Sequence, residues 1–158
     1  MPQQLWFLRH GEAEPHGARP DFDRRLTPRG EEQSRVAGRA LAELEIRFQF
    51  VFTSARVRAL DTAKLACEAL GVEPIVDESL NSGFDADNAL ELAAAAGDDK
   101  RVLFVGHNPD FVEVVHDLTG GAVEMKKGGV AGVRMHGRDG ELIVLMRPRE
   151  LTAIAASG

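Results

Sequence analysis

The chain has 158 residues, 44% of them hydrophobic and 28% charged, enough to bury one core without disulfides or a structural metal. A formal net charge of -6 argues against general attraction to nucleic acid or to an anionic membrane, although a basic pocket can sit within an acidic envelope. Cys67 is the only cysteine, which excludes an internal disulfide and fits a reducing compartment. With no signal-like start and no run near the roughly 18 apolar residues of a membrane span, the expectation is a cytoplasmic protein, most simply a monomer.

In chain order, Leu5 to Leu8 reads as a buried strand and Glu12 to Arg25 as a polar loop. Thr27-Pro28 is a helix start, a capping hydroxyl before a proline at the first helical position. Val36, Ala37, Ala40, Leu41 and Leu44 recur at helical spacing, so one face of residues 28–45 packs inward. "FQFVFTS" returns to a strand. Ser54 is then a candidate cap for a helix striped by Val57, Leu60, Ala63, Cys67 and Leu70 and closed by Gly71. Within that stripe Cys67 reads as a small core residue rather than a catalytic thiol.

A short strand is expected at Pro74–Val76 and a helix over "ADNALELAAAAG". "RVLFVGHNPDFVEVV" repeats the opening pattern, with an apolar strand ending in glycine and histidine and Asn108-Pro109 opening a helix. The final third reads as strands joined by tight turns. Asp139-Gly140 is its hairpin signal, Pro148 ends the last strand, and the tail carries no clear signal. Strands alternating with helices imply an α/β fold, a three-layer α/β/α sandwich around a largely parallel sheet. Such sheets bind ligands beyond the C-terminal ends of their strands, where Arg9-His10-Gly11, Ser54 to Arg58 and Gly106-His107-Asn108 all fall.

Neutral imidazole is a competent nucleophile toward phosphorus, and guanidinium groups match the charge on the equatorial oxygens of a phosphoryl group in transfer. Arg9 beside His10 supplies both. Gly11 would let the backbone turn closely past a phosphate. Arg56 and Arg58 cannot both face one pocket from a helix, so Arg56 is expected in solvent.

"LRHGEA" resembles the Arg-His-Gly motif of the histidine phosphatase (phosphoglycerate mutase-like) superfamily. "TSARVRALDTA" is similar to its arginine-bearing segment and "VGHNP" to its second histidine motif, in the family's order and spacing over residues 5–110. "DFDRRLTPRGEEQS" resembles the pattern of the small SixA-type phosphohistidine phosphatases, with Arg25 where that pattern has proline. The resemblance implies one domain over residues 1–158 without a cap insertion, acting on a phosphohistidine-bearing protein or a small phosphorylated substrate. It also implies that His10 becomes phosphorylated and that Arg9, Arg58 and His107 hold the phosphoryl oxygens, with His107 most useful when protonated. Asp21 and Arg24, in preference to Arg25, would line the pocket mouth, Gly11 and Asn108 would contribute to substrate binding, and no metal or other cofactor would be needed.

Glu78, Asp85 and Asp87 are candidates for a general acid, although acids in a polar loop are ordinarily only solvated. A nitrogen-phosphorus substrate relaxes the need for one, because imidazole leaves more readily than an alcohol. Three alternatives remain: a phosphate-sensing module without turnover, a small-molecule phosphomonoesterase, and a metal site built from His10, His16, His107, His116 and His136. The last lacks the close spacing of a typical metal motif.

Overall fold

The computed structural model describes residues 2–158. Strands β1 (Gln4–Arg9), β2 (Phe50–Thr53), β3 (Pro74–Val76), β4 (Arg101–Gly106), β5 (Val130–His136) and β6 (Asp139–Met146) form one sheet in the order β3-β2-β4-β1-β5-β6. The first four are parallel neighbours, whereas β5 runs antiparallel to β1 and β6 antiparallel to β5. The fold is therefore α/β with a mixed sheet, parallel except at one edge.

Both faces are covered, so the central strands are apolar without a break. Leu5 and Phe7 of β1, with Phe52 and Phe104, pack under helices α3 (Ala86–Ala96) and α4 (Asp110–Thr119). Trp6 and Leu8, with Val51, Leu103 and Val105, face α1 (Pro28–Glu43), α2 (Val57–Leu70) and α5 (Pro148–Ser157). Cys67 lies in this second layer, where burial pushes its thiol up to about 11. No helix among the described residues is long and apolar enough to cross a membrane.

Three local expectations need correction. The tail is not featureless: Pro148 opens α5, and Leu151 and Ile154 cover α1. The hairpin turn is Gly137-Arg138, not Asp139-Gly140. Gly137 takes the positive φ of 64°, while Gly140 lies in β6, where a Cβ would come 2.8 Å from Val133 and 3.0 Å from the Leu118 carbonyl. Residues 122–129 form a loop rather than a strand.

Helices α1 and α2 approach so closely that a Cβ on Gly38 would lie 2.2 Å from the Ala66 carbonyl oxygen. Alanine ordinarily favours a helix over glycine by about 1 kcal/mol, but here the obstacle is backbone that cannot rotate away. Gly38→Ala is expected to destabilise the protein by about 1–3 kcal/mol, read as a lower urea midpoint. A raised midpoint would contradict the close packing of the two helices.

Candidate active site

Parallel pairing places Arg9 opposite Gly106. The histidines that follow both strands consequently leave the sheet side by side. The His10 amide donates to the Gly106 carbonyl at 3.0 Å, and the rings of His10 and His107 lie 5.3 Å apart. A pocket of about 250 Å³ opens there, lined by Arg9, His10, Arg24, Arg58, His107 and Asn108, with Glu14, His16 and Lys127 toward its rim.

His10 Nδ1 lies 2.7 Å from the Gly11 carbonyl oxygen. A carbonyl only accepts, so the proton sits on Nδ1 and Nε2 keeps its lone pair. Burial, partly offset by this hydrogen bond, and the charges of Arg58, Arg9 and Lys127 push the pKa of His10 down to about 4. The ring is neutral at neutral pH and has a defined tautomer.

His107 is held through a relay absent from the sequence reading. Asn81 Oδ1 accepts from the Ala55 amide at 2.7 Å and from Ser54 Oγ at 3.1 Å. With its proton so directed, Ser54 Oγ accepts from the Arg56 amide at 3.1 Å and from His107 Nε2 at 2.9 Å. The helix cap expected of Ser54 is thus a hydrogen bond to the capping residue, Arg56. Nδ1 of His107 is buried without a partner. Burial, His10 and the nearby arginines push the pKa of His107 down to about 3, so the protonated ring expected from the sequence is absent from the unliganded site. An arriving phosphate dianion would oppose that shift.

Arg9, Arg24 and Arg58 line the pocket, and Arg56 shares the Asp21 carboxylate with two of them. Arg58, 7% exposed on the first turn of α2, donates from Nη1 to the Asp21 carbonyl at 2.8 Å and from Nη2 to Asp21 Oδ2 at 3.3 Å. Arg24, 8% exposed, donates from Nε to Asp21 Oδ1 at 3.0 Å and from Nη1 to the Glu14 carbonyl at 2.7 Å, whereas Arg25 is exposed. Arg56 is not the free surface cation expected of it: Nη1 pairs with Asp21 Oδ2 and Nε donates to the Asn81 carbonyl at 2.7 Å. Arg9 Nη1 donates to the Met125 carbonyl at 2.9 Å, and the same oxygen accepts from Asn108 Nδ2 at 3.1 Å. Nε of Arg9 and Nε of Arg58 remain buried without partners.

These contacts place Asp21 against the arginines of the pocket. It is not among the lining residues; a carboxylate accepts and would repel a phosphate. Instead it grips Arg24, Arg56 and Arg58. Partial desolvation opposes its ionisation, but the hydrogen bond from Arg24 and the charges of Arg58, Arg24 and Arg56 hold its carboxyl below the usual range.

Gly11 does not line the pocket either, and the close approach that requires glycine is to α1, since a Cβ would lie 2.5 Å from the Gly30 carbonyl oxygen. Its amide donates to Thr62 Oγ1 at 3.1 Å, tying the His10 turn to α2.

None of the acids considered from sequence reaches the pocket. Glu78 is exposed, Asp85 caps α3 through the Asn88 amide, and Asp87 pairs with Arg138. The one carboxylate in the lining is Glu14, which the Arg25 amide and the Arg19 side chain hold below the usual carboxylate range. Glu14 is therefore ionised at neutral pH and cannot serve there as a proton donor. Among the described residues no group of three or more His, Cys, Asp or Glu side chains is placed to hold a metal ion.

Two predictions follow from the charges. Asp21→Ala leaves three guanidinium groups without their shared anion, and inorganic phosphate is expected to bind about tenfold more weakly by calorimetry, the equivalent of about 1.4 kcal/mol; unchanged affinity would contradict the anchoring role. The second concerns pH. Above about pH 6.5 both rings are neutral, folded or unfolded. Below it the unfolded chain takes up protons that folded His10 and His107 refuse until about pH 4 and about pH 3. Their contribution is thus lost as pH falls from 6.5 toward 4, at up to about 1.4 kcal/mol per pH unit for each ring. Urea midpoints at several pH values should fall more steeply for the native protein than for the His10→Asn/His107→Asn double variant; equal slopes would place the lost stability elsewhere.

The model of the histidine phosphatase superfamily (branch 1) matches residues 5–82. An uncharacterised protein of Picosynechococcus sp. is 36% identical, across 94% of this chain and 98% of its own length. A 2,3-bisphosphoglycerate-dependent phosphoglycerate mutase of Sinorhizobium fredii is 37% identical over 106 residues, 56% of this chain and 48% of the mutase. The chain thus spans about half the length of that enzyme. Among solved structures, the protein histidine phosphatase SixA complexed with tungstate superposes with a TM-score of 0.84 over 94% of this chain and 99% of that one, at 24% identity, a likeness of fold alone. The chain belongs to the histidine phosphatase superfamily.

Proposed function

We propose that the protein is a SixA-type phosphohistidine phosphatase that works through a covalent phosphohistidine on His10. The observation that carries the reading is a neutral His10 with its proton fixed on Nδ1, beside buried and unpartnered N–H groups of Arg9 and Arg58. Nε2 attacks phosphorus while the bond from phosphorus to the substrate's imidazole nitrogen breaks, and that imidazole leaves after taking up a proton. Water then attacks the phosphorus on His10, gives up a proton, and releases inorganic phosphate with the His10 ring neutral again. Arg9, Arg24 and Arg58 match the charge on the equatorial oxygens. His107 joins them by accepting a proton at Nδ1 once the dianion is bound. The reading calls for no metal, because these groups carry the positive charge.

The lack of a protonated carboxyl in the pocket supports a substrate with a good leaving group, since Glu14 is held ionised. As one domain without a cap, residues 1–158 would admit a side chain presented on a protein, in the cytoplasm where the buried thiol of Cys67 stays reduced. One observation favours a small-molecule phosphomonoesterase instead. His16 stands exposed in the pocket lining, 3.6 Å from Asp21 Oδ1, and an imidazolium there could protonate an alkoxide.

Turnover of a phosphohistidine protein, phosphoramidate and a sugar phosphate separates the two readings. Preference for the nitrogen-phosphorus substrates is expected, and a strong preference for the sugar phosphate would reject the SixA-type reading. Arg58→Ala should lower kcat/KM by about a hundredfold or more, as for a lost transition-state donor. Arg56→Ala, acting only through Asp21 and Asn81, should cost about tenfold or less. Equal losses would sink the assignment of Arg58.

A further inference from the structure

A second cleft, of about 620 Å³, adjoins the pocket and shares Arg9 and Lys127 with it. Its remaining cations come from separate elements: Arg29 from α1, Lys126 from the loop before β5, and Arg147 and Arg149 from the start of α5. Glu12 is the only acid in the lining. Within a chain of formal charge -6, so local an excess of positive charge sets up a steering field at the mouth of the catalytic pocket.

Backbone pairing fixes the lysines at this junction. The Gly128 amide donates to the carbonyls of Arg9 and His10, both at 3.0 Å, and the Arg9 amide donates to the Gly129 carbonyl at 3.1 Å. Lys126 and Lys127 are therefore held against the strand end that carries His10. Three of the cations already show what they accept: Arg29 pairs with Glu12, Lys126 with Glu124 and Arg147 with Glu150. Lys127 and Arg149 make no ion pair among the described residues.

We infer that this cleft holds an acidic peptide segment flanking the phosphorylated side chain of a protein substrate, an inference that rests on the phosphohistidine reading. The catalytic pocket takes the phosphoryl group, while Asp and Glu side chains of the flanking segment meet Lys127 and Arg149 and exchange with the surface carboxylates on the other cations. Carboxylates rather than one more phosphate are favoured on two grounds. The cations are spread over four elements instead of converging on a point, and the partners they already hold are carboxylates.

Two peptides test this, each with one histidine phosphorylated by phosphoramidate, flanked in one by Asp and Glu and in the other by Asn and Gln. At low salt the wild type should turn over the acidic peptide with a kcat/KM about tenfold higher, through KM, and added salt should erase the difference. The Lys126→Glu/Arg149→Glu variant should lose the preference while hydrolysing phosphoramidate as the wild type does. Equal turnover of both peptides by the wild type, or a preference that survives charge reversal, overturns the inference. So does a cleft that takes only a small polyanion, seen as competitive inhibition by tripolyphosphate without any effect of the flanks.

If neither peptide is hydrolysed, the phosphohistidine reading fails, and binding of the unphosphorylated peptides by fluorescence anisotropy still judges the cleft. Tighter binding of the acidic one to wild type than to the variant sustains the surface, and equal binding rejects it.

Discussion

The site rests on the register of β1 against β4. Because Arg9 pairs with Gly106 in a parallel ladder, the next residue of each strand is a histidine, and the two rings emerge on one sheet edge within 5.3 Å. A slip of one residue would exchange Leu5 and Phe7 for Trp6 and Leu8 between two differently shaped cores. Burial on both faces thus enforces the register, and the register delivers the chemistry. The same edge receives Ser54, whose amide donates to the Val105 carbonyl at 3.1 Å and whose hydroxyl accepts from His107, so the end of a third parallel strand supports the site from beneath.

Gathering several guanidinium groups beside two imidazoles is costly unless the charge is organised. Asp21 organises it by pairing with three arginines, and the backbone carbonyls of Glu14, Asn81 and Met125 take further N–H groups. What remains is selective: the Nε groups of Arg9 and Arg58 have no partner in the protein. Donors left waiting in this way are worth more to an arriving anion than donors that must first be freed. Burial first, and the same positive field second, keep both histidines neutral. In the proposed mechanism this keeps the His10 lone pair free in the empty site and lets His107 gain its proton when negative charge arrives. Electrostatics and covalent chemistry are in this sense one arrangement.

Much of this is legible in the linear chain, for identifiable reasons. Strands covered on both faces leave unbroken apolar runs, and a polar triplet such as Arg9-His10-Gly11 stands out where such a run stops. The Thr27-Pro28 helix start is equally local, and Thr27 Oγ1 does accept from the Gly30 amide at 3.1 Å. The parts that were not legible depend on contacts between distant segments. Nothing near Asp21 in sequence announces that its carboxylate will face Arg56 and Arg58, and nothing near Asn81 points to Ser54 and His107. Gly11 is recognisable as a position of close approach, but that the neighbour would be Gly30 of α1 is not. The α5 start shows a signal present and passed over, because Pro148 has the same first-turn role as Pro28. Asp139-Gly140 shows the reverse, a familiar turn pair placed inside a strand while Gly137 makes the turn.

With its proton held on Nδ1 by the Gly11 carbonyl, His10 in the proposed mechanism attacks through Nε2. Phosphorus-31 NMR of the protein trapped during turnover of phosphoramidate, quenched in alkali, distinguishes the two phosphohistidine isomers. Phosphorus is expected on Nε2 of His10 and on no other residue. Phosphorus on Nδ1, on His107, or on no histidine while hydrolysis proceeds would contradict it.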